Sequence, residues 1–191
     1  MLEAFLVSTA VVALGELGDK TQLLALVLAA RYPRPWPIVA GIFVATLANH
    51  GMAGWVGNWV RGALPPDVLH WLLALSFFAV AAWALKPDQL DDDDAVPASR
   101  WGVFGVTVVA FFLAEMGDKT QVATVMLAAK YASLAAVVVG TTLGMMIVNV
   151  PTVFIGRAAA ERIAFRAVRI AAAALFAALG VWVLLAPHFG I

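Results

Sequence analysis

Six apolar stretches, residues 3–30, 36–60, 68–86, 101–129, 133–156 and 164–186, take up most of the chain. At about 1.5 Å of rise per helical residue, each is long enough to cross a hydrocarbon layer about 30 Å thick. Lipid offers backbone N–H and C=O groups no partner, so all six are expected to be helices. Composition agrees, because 63% of the 191 residues are hydrophobic and 13% charged, against about half and a quarter in soluble domains. The expected fold is an all-α integral membrane protein with the bilayer as its first partner. The amino terminus, Met1-Leu2-Glu3, lacks the basic stretch of a signal peptide, so the first segment is read as a retained membrane helix.

Polar, proline-bounded residues 87–100, with four consecutive aspartates from Asp91 to Asp94, divide the chain into segments 1–86 and 101–191. The two segments repeat each other at an offset of 99 residues: Glu16 to Gln22 lies over Glu115 to Gln121, Gly41 over Gly140, and Trp83 over Trp182. Three spans per segment is an odd number, so the expectation is two three-helix repeats of inverted topology. Arg31, Arg34, Lys86, Arg100, Arg157, Arg162, Arg166 and Arg169 then fall on one side of the membrane, and only Arg61 and Lys130 on the other. Basic loops stay in the cytoplasm. Both termini are therefore expected outside and the acidic linker in the cytosol, read as a solvated connector in a bacterial inner membrane. Trp36, Trp55, Trp59, Trp71 and Trp101 lie near span ends, where indole rings favour the interface.

The chemistry is concentrated in the heptads Glu-Leu-Gly-Asp-Lys-Thr-Gln at 16–22 and Glu-Met-Gly-Asp-Lys-Thr-Gln at 115–121, each flanked by apolar residues on both sides. A charged residue at membrane depth costs about 2.5–3.5 kcal/mol on insertion scales, and such residues mark ion pathways. On the expected helix Glu16 and Asp19, at i and i+3, share a face, and Lys20 at i+4 can reach back to Glu16; Glu115, Asp118 and Lys119 repeat the plan. Four carboxylates against two ammonium groups leave two negative charges, which one divalent cation would neutralise. Oxygen donors from Glu16, Asp19, Glu115 and Asp118, supported by Thr21, Gln22, Thr120 and Gln121, suit hard ions such as Mn²⁺ and Ca²⁺. Cysteine is absent, which removes thiolate ligands. Gly18 and Gly117 allow either close helix packing or a local unwinding. Asn49, His50 and Asn149 are candidate polar neighbours, and Pro151 interrupts the fifth span.

Other readings are open to test. A purely structural salt bridge would need neither the surplus negative charge nor duplicated polar neighbours. A cation channel with an acidic constriction would use the same residues without obligatory proton counterflow. No HExxH, GxSxG or comparable arrangement supports an enzyme. Twelve basic residues balance twelve acidic ones, so nucleic acid is not an expected partner. No cofactor is expected beyond the transported ion, and a homo-oligomer is compatible with the sequence.

The doubled heptads resemble the E-x-G-D-[KR]-[ST] hallmark of the cation/proton exchanger family that includes Golgi and thylakoid manganese and calcium transporters and a bacterial manganese exporter. The resemblance covers nearly the whole chain, since six spans in two inverted halves around an acidic linker are also the family plan. It implies that Mn²⁺ or Ca²⁺ leaves the cytosol in exchange for protons, with Glu16, Asp19, Glu115 and Asp118 binding the ion. For a short form such as this one it favours Mn²⁺, with Ca²⁺ left open.

Overall fold

The computed structural model describes residues 1–86, 102–155 and 165–185, in the last segment excepting the side chains of 165, 166 and 168. The acidic run Asp91 to Asp94, Trp101 and the arginines at 100, 157 and 162 lie outside the described residues. Among the described residues there are eight helices and no strand: α1 (Leu2–Glu16), α2 (Lys20–Arg31), α3 (Pro35–Ala63), α4 (Pro66–Ala84), α5 (Gly102–Glu115), α6 (Lys119–Lys130), α7 (Leu134–Ile155) and α8 (Phe165–Leu185). α3, α4 and α7 are each long and apolar enough to cross a bilayer. Trp36, Trp55, Trp59 and Trp71 are all exposed, as rings at a lipid–water boundary would be.

The first and fourth apolar stretches are not single helices. Each breaks inside its heptad, between Glu16 and Lys20 and between Glu115 and Lys119. The cause is a Gly-Asp pair. Gly18 and Gly117 have φ of +80° and +75°, a left-handed conformation that stops a helix and suits glycine. Asp19 and Asp118 follow in extended backbone as N-caps of α2 and α6, and the Asp118 carboxylate accepts from the Thr120 N–H at 3.2 Å. A helix stop is thus followed at once by a helix start. Gly117 has open space where a Cβ would project, so Gly117→Ala carries only the conformational penalty of about 1–2 kcal/mol. Thermal unfolding in detergent should record that loss; an unchanged midpoint would mean the left-handed turn is dispensable.

Glycines also set how closely the helices cross, a common device where lipid supplies no hydrophobic drive between them. A Cβ on Gly140 or Gly144 of α7 would lie 2.6 Å from the carbonyl oxygen of Phe5 or Thr9 of α1. A Cβ on Gly41 of α3 would lie 2.6 Å from the Thr107 Cβ of α5. Beside these crossings, Leu24, Ala25 and Leu28 of α2 pack with Ile38 and Ile42 of α3 and Phe111 of α5. On the other side, Ala123, Met126 and Leu127 of α6 join Ala74 and Phe77 of α4 and Phe176 of α8. The two helix breaks are brought side by side between these clusters: a Cβ on Gly15 would stand 3.2 Å from Thr120 Cγ2.

Candidate metal centre

Breaking the helices puts Glu16 and Glu115 at the carboxyl ends of α1 and α5, and Asp19 and Asp118 at the amino ends of α2 and α6. All four side chains are buried. Glu16, Asp19 and Glu115 each offer a carboxylate oxygen within 4.8 Å of the others. The Thr21 hydroxyl donates to Glu16 Oε2 at 2.5 Å, and the equivalent Thr120 hydroxyl donates to Glu115 Oε2 at 3.1 Å, with Asp118 Oδ2 a further acceptor at 3.3 Å. One oxygen of each glutamate is thereby held. Glu16 Oε1 and Glu115 Oε1 are buried without any hydrogen-bond partner. Buried polar atoms are nearly always satisfied, and carboxylate oxygens that no protein group reaches are what a hard cation takes as ligands.

The lysines depart from the expected arrangement. Lys119 Nζ lies 2.5 Å from Asp19 Oδ1, so the buried ion pair joins the two heptads instead of closing within one. Lys20 does not reach back to Glu16; it is only half-buried and makes no ion pair among the described residues. The shared-face geometry expected of Glu16 and Asp19 requires a continuous helix, and residues 17–19 do not form one.

The glutamines also depart from expectation. Gln22 Oε1 accepts from the Gly18 N–H at 2.8 Å and Gln121 Oε1 from the Gly117 N–H at 2.7 Å, so each satisfies an amide that the helix break leaves without a ladder partner. Their amide nitrogens then reach to the long helices. Gln121 Nε2 donates to Asn49 Oδ1 at 2.7 Å, and Asn49 Nδ2 donates to the Phe112 carbonyl at 2.9 Å. Gln22 Nε2 donates to Thr152 Oγ1 at 3.1 Å. Of the three candidate polar neighbours, Asn49 is therefore hydrogen-bonded to a heptad. Asn149 instead donates to the Met145 carbonyl of its own helix at 3.2 Å, and His50 is buried with both ring nitrogens unpartnered. Thr152 was not anticipated, because its 99-residue counterpart is Ala53 and nothing in the repeat marks it.

A family model described as the divalent cation/proton antiporter GDT1 matches residues 4–92 and 103–189. The chain belongs to the GDT1 family. GDT1 proteins are antiporters, and this chain is an integral membrane protein. A Vibrio cholerae protein that carries a provisional name as a manganese exporter is 49% identical over 177 residues, covering 92% of this chain and 88% of that one. A GDT1-like protein of Synechocystis is 30% identical over 92% of this chain and 94% of its own length. The Arabidopsis thaliana GDT1-like protein 5 is 25% identical over 98% and 97%. No solved structure matches the chain.

Proposed function

We propose that this GDT1 protein exports Mn²⁺ from the cytosol in exchange for protons, holding the ion between Glu16, Asp19 and Glu115, with Asp118 alongside. The observation that carries the reading is the pair of buried, unpartnered oxygens, Glu16 Oε1 and Glu115 Oε1, in one cluster with Asp19. Preference for Mn²⁺ over Ca²⁺ rests on the name of the Vibrio relative; the all-oxygen donor set suits either ion.

In this reading α1 with α2, and α5 with α6, are two broken spans, which with α3, α4, α7 and α8 make six crossings in two inverted repeats, 1–86 and 101–191. Broken helices meeting at mid-membrane are the usual way such folds build an ion site. The distribution of arginine and lysine puts the termini outside and the linker 87–100 in the cytosol. Lys119 acts as a tethered cation: its ammonium sits on Asp19, where an arriving ion displaces it. Four carboxylates and two lysines leave a surplus of two negative charges, which one divalent ion or two protons balance. Proton and metal then compete for the same oxygens, and exchange follows without a separate proton path.

The test is reconstitution in liposomes loaded with a metal-sensitive and a pH-sensitive dye. Mn²⁺ movement against a pH gradient should be accompanied by opposite proton movement and should stop when the gradient is collapsed. Metal flux that ignores the proton gradient would replace the exchanger with a channel, and no flux of Mn²⁺ or Ca²⁺ would remove both.

A further inference from the structure

The 99-residue repeat makes α6 the counterpart of α2, α8 of α4 and α7 of α3, so equivalent residues can be compared directly. Near the heptads the two match: Ala123 and Leu24 are both buried, as are Leu127 and Leu28. Beyond them they do not. Met126 is 4% exposed and its counterpart Val27 44%. Ala129 is buried and Ala30 exposed; Lys130 is half-buried and Arg31 exposed. The helix pairings agree, because α6 packs along α4 whereas α2 has no comparable packing along α8 among the described residues.

The helix ends carry the same asymmetry. Lys130 Nζ stands 3.2 Å from the Trp182 ring centroid and 5.4 Å from that of Tyr131, and the Tyr131 hydroxyl donates to Glu3 Oε1 at 3.2 Å. This ties the end of α6 to α8 and α1. The equivalent residues of the other half are Arg31, Tyr32 and Trp83. Arg31 lies 5.7 Å from the Tyr32 ring, and among the described residues it forms no cation–π pair with Trp83.

We infer that Lys130, Tyr131, Trp182 and Glu3 form a latch that closes the extracytoplasmic route to the heptads, and that Arg31 and Trp83 form its counterpart at the cytoplasmic end, unengaged here. The inference rests on the antiporter reading and on its membrane orientation. In the opposite state α2 swings onto α8, covering Val27 and Ala30 and bringing Arg31 over Trp83, while α6 leaves α4 and Lys130 leaves Trp182. Trp182 is 38% exposed, and a cation over a partly exposed indole is a modest, breakable contact, which suits a gate that must open on every cycle. Lys130 and Trp182 are thus positioning residues for transport, remote from the ion itself.

The chain has no cysteine, so single cysteines report one position each. Val27→Cys and Ala30→Cys, in inverted vesicles without metal, should react with a membrane-impermeant maleimide at least about tenfold faster than Met126→Cys and Ala129→Cys in right-side-out vesicles, if the closed-outside state dominates. Adding Trp182→Ala to Ala129→Cys should raise its labelling from outside; adding Trp83→Ala should not. Equal labelling from the two sides overturns the inference, as do unreactive cysteines at 27 and 30, which would mean that lipid covers this face of α2. So does a Trp182→Ala background that leaves Ala129→Cys protected. These rates are read without metal, so asymmetric labelling in a chain that moves no Mn²⁺ would refute the antiporter reading and keep the asymmetric closure. Symmetric labelling in a chain that exchanges Mn²⁺ for protons would refute the latch alone.

Discussion

Glu16→Gln and Glu115→Gln should each lower Mn²⁺/proton exchange by about ten- to a hundredfold, since a contact with a charged partner is worth about 1.5–3 kcal/mol and each 1.4 kcal/mol is about tenfold. Glutamine keeps the size of the side chain and an oxygen for the Thr21 or Thr120 hydroxyl, so the loss should be in transport and not in folding. The change replaces a charged oxygen, or puts an amide N–H, at the point where Glu16 Oε1 or Glu115 Oε1 now has no donor. Size-exclusion profiles should match the parent chain while the metal-dye signal collapses. Asp67→Asn, at an exposed position at the start of α4, should leave flux unchanged. Exchange at the parental rate in either glutamine variant would remove the glutamates from the site.

The largest effect on stability is expected at Gly57. A Cβ there would lie 2.1 Å from the Val125 carbonyl oxygen and 2.9 Å from Ala128 Cβ, and a backbone carbonyl cannot rotate away as a side chain can. Gly57→Ala must push α3 off α6, at the upper end of the about 1–3 kcal/mol that overpacking costs. Six residues earlier, a Cβ on Gly51 meets nothing within 4 Å; Gly51→Ala should be neutral or slightly stabilising, by up to about 1 kcal/mol of helix propensity. Melting of the two variants in the same detergent makes the comparison. Similar midpoints would mean that α3 and α6 do not cross where Gly57 indicates.

Much of this arrangement can be read from the sequence. α3, α4, α7 and α8 end within three residues of the apolar stretches that announce them, because hydropathy over twenty residues is a strong, local signal. The breaks at Gly18 and Gly117 also have a local signal, a glycine followed by a capping aspartate. Unbroken hydropathy on both sides points the other way, and it hides the stop. The i, i+3 argument for Glu16 and Asp19 fails with it. What the sequence does not carry is the relation between distant segments. Nothing in 115–121 says that Lys119 will seek Asp19, or that Gln22 will reach Thr152 and Gln121 will reach Asn49. Those pairings depend on how the helices cross, and the crossings are set by backbone approaches at Gly41, Gly57, Gly140 and Gly144.

The interrupted ladder at residues 17–19 has a mechanical consequence. α1 and α2 are joined by an articulated elbow and not a continuous rod, with the Gly18 amide braced by Gln22. Rotation about that elbow can carry Asp19 away from Glu16 while every helical hydrogen bond on either side survives. In the proposed antiporter, opening the carboxylate cluster then amounts to the swing of a twelve-residue arm, at the cost of the Gln22–Thr152 and Lys119–Asp19 contacts.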